Sequence, residues 1–347
     1  MVLIKIILFP ISFIYGIITF IRNVLYDINI LSVNRFKVPL ISVGNLSVGG
    51  TGKTPHVELL VRFLKEKYVT AVLSRGYKRK SKGFVIATEN SKAEEIGDEP
   101  LQIKKKFKNT VVAVHGNRTD GINKLLELNN NIKAIILDDA FQHRAVKPDL
   151  SILLTEYGNI YKDDFVFPSG GLREWRSNAK RADVIVVTKT PKVFSPIERK
   201  SITEKIKPEH YQKLFFSYLD YDDITPFSNS KYAINKDISA SVIFTGIVNP
   251  NPLYEHLKRK FIEIQILTFP DHHNYTLKDI LKIEKVFKDI FRKNKIIITT
   301  EKDYMKLQKP ELREIISLLP FFYVPVNAQI HKEDKKAFEE VVLNALT

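Results

Sequence analysis

Beyond about residue 38 the chain alternates short apolar runs with longer stretches in which apolar residues return every three or four positions. The runs "VPLISVG", "VTAVLSRG", "TVVAVHGNR", "KAIILDDA", "LSILLTE" and "ADVIVVTKT" are short and rich in β-branched residues, so they predict strands buried on both faces. With helix-like segments between them they read as βαβ units on a parallel sheet, an α/β core over residues 29–194. The alternation fades over 195–240, where Pro, Ser, Asn and Asp gather. That stretch predicts a connection between domains, with a strand around "LFFSYL". A second alternating set, from "ASVIFTGI" to "FFYVPV", predicts a smaller α/β domain over 241–347.

Residues 1–28 follow a third pattern. "VLIKIILFPISFIYGIITFI" carries Lys5 as its only charge and is followed by Arg22. Its length is just enough to span a bilayer, whereas Pro10, Gly16 and the amphipathic "RNVLYDINIL" that follows suit a helix lying in one leaflet. The pattern predicts a membrane-associated helix and leaves spanning or lying open. No small-residue cleavage site of a signal peptide follows the run.

Composition narrows the field. The 347 residues, 44% of them apolar, suffice for two domains of ordinary size. Lys and Arg number 54 against 39 Asp and Glu, a formal +15, which suits an anionic membrane surface, a phosphorylated substrate or a nucleic acid. A Lys-rich proteome would leave the same mark. The absence of cysteine excludes disulfides and thiolate metal sites.

The glycine-rich "VGNLSVGGTGKTPHVELL" lies between the first strand of the core and a helix, where a phosphate-binding P-loop belongs. Residues Ser47, Val48, Gly49, Gly50, Thr51, Gly52, Lys53 and Thr54 form the candidate cradle. Backbone N–H groups and the helix N-terminus would face the phosphates, Lys53 would reach the β and γ groups, and Thr54 would ligate Mg²⁺. The pattern G-x-x-x-x-G-K-[ST] asks for glycine where this chain has Ser47. The strand "AIILDD" ends in Asp138 and Asp139, which offer a direct and a water-mediated position on a metal, in an order the sequence leaves open. "VVTKTP" has Pro191 where a guanine-reading motif needs Asp, which favours ATP. On their own, "EEIGDEP", "TFPDHHNY" and "FPSGGLREWRS" fit solvated or structural segments as well as sites.

Together the motifs "GNLSVGGTGKTP", "SRGYKRKSKG", "GDEP", "DDAFQHR", "PSGGLRE", "TGIVNP", "FPDHH" and "TEKDYMKL" resemble the tetraacyldisaccharide 4'-kinases, the lipid A 4'-kinases of Gram-negative bacteria. They run in the family's order from residue 44 to 307, and the apolar N-terminus matches too. The family itself carries a small hydroxyl residue in place of the first P-loop glycine. Gly171 and Ala140 depart from the family's usual Pro and Gly without removing a reactive group.

The resemblance implies a P-loop kinase core. It implies transfer of the γ-phosphoryl of ATP, with Mg²⁺, to the 4'-hydroxyl of a tetraacylated glucosamine disaccharide 1-phosphate at the cytoplasmic face of the inner membrane. The partners it implies are that lipid and an anionic membrane surface, with no nucleic acid. It points to Lys53, Asp138, Asp98 and His272 as catalytic, with Asp98 orienting the imidazole of His272 and His273 as the alternative base. Thr54, Asp139 and Glu174 would serve the metal, and Arg118, Gln142, His143 and Arg173 the phosphate or sugar. The competing reading is a membrane-attached P-loop ATPase that phosphorylates nothing.

Overall fold

The computed structural model describes residues 2–228, 231–234, 237–271 and 273–346, and side chains from Lys5 onward. The first unit runs α1 (Val2–Asp27), β1 (Leu40–Asn45), α2 (Lys53–Leu64), β2 (Thr70–Ser74), β3 (Val85–Ile86), α3 (Ala93–Ile96), α4 (Asp98–Lys106) and β4 (Val111–Val114). It continues through α5 (Arg118–Leu128), β5 (Ala134–Asp138), β6 (Leu150–Glu156), β7 (Val184–Thr188), α6 (Pro196–Ile206) and β8 (Lys213–Tyr221). A second unit follows: β9 (Thr225–Pro226), β10 (Ala240–Thr245), α7 (Asn251–Lys258), β11 (Glu263–Thr268), α8 (Leu277–Asp289), β12 (Lys295–Thr300), α9 (Glu301–Lys306), α10 (Pro310–Ser317) and β13 (Phe321–Val324). The chain then returns to the first unit as β14 (Val326–Ile330) and α11 (Lys332–Asn344).

The fold is α/β, as the alternation predicts. Among the described residues nine strands form the large sheet in the order β14-β8-β7-β6-β1-β5-β2-β4-β3, parallel except for β14 and β3 at its edges. Strands β1, β2 and β5 are buried at every residue, which explains their unbroken apolar runs. The small sheet holds five strands among the described residues, β11-β10-β12-β13-β9, with β9 the antiparallel member. One apolar core joins the units, running from Ile41, Val57 and Ile136 to Phe244 and Phe321.

Two sequence expectations about organisation change here. The stretch 195–240 is not an irregular connection throughout: α6 starts at a Ser195–Glu198 capping box, and β8 pairs in parallel with β7 inside the large sheet. The end of the chain does not stay with the second unit, because β14 pairs antiparallel with β8. Apolar alternation reveals that a strand exists, not which sheet takes it.

The functional geometry comes from β1. It lies between β5 and β6, with Val43 paired to Asp138 on one side and Gly44 to Leu153 on the other. Ligands of open α/β sheets bind beyond the carboxyl ends of strands at such a reversal.

Candidate active site: a P-loop facing a second α/β unit

Beyond Asn45, β1 gives way to a loop that turns into α2 at Lys53. Gly49 and Gly52 hold φ of 116° and 87°, which L side chains rarely adopt. A Cβ on Gly49 would meet nothing within 4 Å, so the backbone turn, not crowding, requires glycine there. Ser47 has no such need: it forms an antiparallel bridge with Leu172 and is absent from the positive-φ residues. Its neighbours brace the loop, Val48 N donating to Gly171 O at 2.6 Å and Arg173 N to Leu46 O at 2.7 Å. From the other side the Thr188 hydroxyl donates to Thr51 O at 2.9 Å.

His56, which sequence reasoning missed, fixes the loop from below. Its Nδ1 lies 2.7 Å from Gly52 O and its Nε2 2.8 Å from the Ser217 hydroxyl. A carbonyl only accepts, so Nδ1 carries the proton and Nε2 accepts from Ser217. Burial lowers the His56 pKa to about 4, against a smaller upward pull from Gly52 O.

Acidic and basic groups then converge at the end of β5. Asp139 adopts φ 49° and turns its carboxylate to Arg173, with Nη1 at 2.9 Å from Oδ1. Lys53 Nζ stands 3.7 Å from the same oxygen and 3.4 Å from Asn45 Oδ1. Burial works to raise the Asp139 pKa, but Lys53, Arg173 and Arg118 outweigh it and hold the group below its usual range. Asp138 goes the other way, to about 7, through burial first and then the charges of Glu99 and Asp139. Its Oδ2 accepts from Ser74 at 2.9 Å, whereas its buried Oδ1 has no hydrogen-bond partner among the described residues.

Other residues singled out in the sequence take different positions. Arg118, a candidate for phosphate or sugar contact in the sequence, is 2% exposed and donates to His115 O and Asp138 O at 2.6 and 3.0 Å, bracing the end of β5. Glu174, a candidate metal ligand in the sequence, has both oxygens engaged by protein donors. Arg181 donates to both of its oxygens at 2.7 and 3.0 Å, Asn23 of α1 to one at 2.9 Å and Gln142 to the other at 3.1 Å. Gln142 is engaged the same way, donating also to Asn45 O at 2.8 Å, and so helps set the loop. His143 is half-buried, its pKa lowered to about 4 by burial and then by Arg118 and Arg75, and stays a neutral candidate for substrate contact.

Asp98 opens α4 and is buried, with Lys306 Nζ of α9 at 3.8 Å. His272 lies outside the described residues. Its neighbour His273 stacks on Phe269 and pairs with Asp279 at 3.0 Å, so it is engaged within its own loop while bordering the same cavity as Asp98.

Between the units lies a cavity of about 380 Å³. The P-loop, Asp139 and Arg173 form one side, and Val248, Asn249, Glu301 and Lys302 of the second unit the other. Sequence reasoning assigned no role to this second wall, although "TGIVNP" and "TEKDYMKL" carry it.

A family model described as tetraacyldisaccharide-1-P 4'-kinase, LpxK, matches residues 4–347. The chain belongs to the tetraacyldisaccharide-1-P 4'-kinase family. The tetraacyldisaccharide 4'-kinase of Flavobacterium psychrophilum is 46% identical over 340 residues, covering 97% of this chain and 95% of the relative. That of Flavobacterium johnsoniae is 48% identical over 328 residues, 94% of each. A crystal structure of LpxK from Aquifex aeolicus in complex with ATP superposes with a TM-score of 0.74 at 30% identity, over 99% of this chain and 100% of that one. Membership of this kinase family accounts for the pairing of a P-loop with an acidic strand end and a second unit across a cleft.

Proposed function

We propose that this kinase transfers the γ-phosphoryl of ATP to the 4'-hydroxyl of a tetraacyldisaccharide 1-phosphate through the groups facing the cleft. The observation that carries this reading is the P-loop at β1, placed beside the Asp138–Asp139 end of β5. ATP lies with its phosphates on the amides of residues 49–54 and the N-terminus of α2. Lys53 neutralises charge on the β and γ groups, and Arg173 reaches the transferring group from its place on Asp139.

The hydroxyls and carboxylates of Thr54, Asp138 and Asp139 are a hard-oxygen set suited to Mg²⁺, and the unpartnered Oδ1 of Asp138 fits a cation. When bound, Mg²⁺ supplies charge neutralisation on the phosphate oxygens. Asp98 and His272 serve as the base unit: the imidazole takes the proton of the 4'-hydroxyl as its oxygen bonds to the γ-phosphorus and ADP leaves.

Helix α1 associates with the cytoplasmic face of the inner membrane. Within Lys5–Asp27 an 18-residue window has a mean hydropathy of 1.7, and Ile7, Ile14, Ile18 and Ile21 face outward. A lipid acceptor then meets the enzyme where it resides. The test is incubation with γ-labelled ATP and purified disaccharide 1-phosphate in vesicles. Label in the lipid supports the reading; label released only as inorganic phosphate favours a membrane-attached ATPase.

A further inference from the structure

The seam between α1 and the body is narrow and polar. Ser12, Gly16 and Asn23 are buried, with Thr19 half-buried between them, one residue per helical turn, while the remaining circumference is largely apolar and exposed. Along this seam runs the segment 164–175. The Ser12 hydroxyl donates to Ser169 Oγ at 2.8 Å, Ser169 Oγ donates to the Lys5 carbonyl at 3.0 Å, and Trp175 Nε1 donates to the Gly16 carbonyl at 2.8 Å. Phe167 meets the ring of Tyr15 edge-on at 6.3 Å.

The tip of this segment exposes two large apolar side chains, Phe165 at 50% and Phe167 at 52%. Beside it Lys162, Arg176, Lys180 and Lys207 border one cleft that holds a single acid, Glu209. Apolar tips with a cationic flank match the acyl boundary and anionic headgroups of a membrane.

We infer that the 164–175 segment is a second membrane-inserting element, whose Phe165 and Phe167 enter the phospholipid bilayer alongside α1. The hydrogen bonds to Lys5 and Ser12 fix its depth, because the tip goes wherever the first half of α1 goes. The same bonds satisfy polar groups on both partners at a depth where water is scarce. At its other end the segment supplies Gly171 O to Val48 N and Arg173 to Asp139. Bilayer contact is thereby tied to the P-loop through one short stretch of chain. The inference rests on the reading of α1 as a membrane helix and adds an element to it.

The test places a reporter in the full-length protein. Trp175 is the only tryptophan, so Phe165→Trp adds one emitter at an exposed site. Vesicles of zwitterionic and anionic phospholipid, free of the acceptor lipid, are made with and without brominated acyl chains, and flotation measures binding. Phe165→Trp is expected to float and to lose its added emission in brominated vesicles. Phe165→Ala with Phe167→Ala is expected to weaken partitioning on the order of tenfold or more while folding normally. A protein that floats with its added emission unquenched overturns this inference alone. Quenching that appears only once the acceptor lipid is added also overturns it, since the phenylalanines would then serve the substrate's acyl chains. A protein that does not float overturns the membrane reading of α1 as well.

Discussion

Replacing His56 by glutamine tests the electrostatics of the P-loop's support. The imidazole is buried and neutral, donating to Gly52 O and accepting from Ser217. Its folded pKa of about 4 lies below the ordinary value of 6.5. Between those two values the unfolded chain binds a proton that the folded chain refuses, so the group's contribution to stability falls as pH falls through the window. Above about pH 7 and below about pH 4 it is constant. A depression of about 2.5 pH units corresponds to about 3 kcal/mol.

Glutamine can offer an N–H to Gly52 O and an oxygen to Ser217, but it does not titrate. At neutral pH His56→Gln is expected to cost about 1 kcal/mol, the worth of an imperfectly remade hydrogen bond. By pH 4 the order reverses, with the variant the more stable by about 2 kcal/mol. Asp138 and Glu301, whose pKa values burial raises to about 7, impose an opposite slope, but they do so in both proteins. The difference between the two proteins removes that slope. Urea unfolding followed by Trp175 emission, from pH 8 to about 4, gives the difference directly. A gap that does not change with pH would refute the reasoning and show that His56 titrates alike in the folded and unfolded chain.

Lys53→Ala is expected to lower phosphoryl transfer by a factor on the order of 10³ with circular dichroism unchanged; more than a tenth of wild-type turnover would refute its role. Lys306→Met removes a buried cation held by Asp303 at 3.1 Å and Asp98 at 3.8 Å, and should cost roughly 3 kcal/mol in urea. Lys80→Met, which breaks the exposed pair with Glu94, should cost under about 1 kcal/mol; equal costs would contradict the distinction. Asp98→Ala and His272→Ala should each depress turnover far more than ATP binding, and the double variant should be little worse than the worse single one. Fully additive losses would mean that the two act separately.

The P-loop and the Asp138–Asp139 pair were legible because each is one continuous stretch whose neighbours announce a strand end. What the sequence concealed was partnership across distance. Nothing in the sequence around Glu174 announces Arg181, Asn23 and Gln142 on its oxygens, and nothing around Arg118 announces its bond to the Asp138 carbonyl at the end of β5. Charge type is local, but burial depends on the rest of the fold. His56 sits at the fourth residue of α2 with no motif to mark it. The seam of α1 did leave a trace: Ser12, Gly16, Thr19 and Asn23 recur at helical spacing within an otherwise apolar run, the mark of a helix face turned to a partner rather than to lipid.

That seam also bears on why residue 47 tolerates serine. In a P-loop the first glycine relaxes the exit from the strand, but here residues 46–48 do not turn freely. They pair with 171–173 through the Leu46, Val48 and Ser47 contacts, extending strand-like order past the end of β1. The left-handed conformations are postponed to Gly49 and Gly52, where the backbone must present its amides. Segment 171–173 can hold that register because its neighbours are anchored in turn, Glu174 by Arg181 and Asn23, and Trp175 by Gly16. The hydrogen bonds therefore run without a gap from α1 through Trp175, Glu174 and Arg173 to Asp139 and the phosphate loop. Replacing Gly16 shows how tight this chain is: a Cβ there would stand 2.5 Å from the Trp175 ring, so a methyl group on α1 would displace the segment that shapes the nucleotide site.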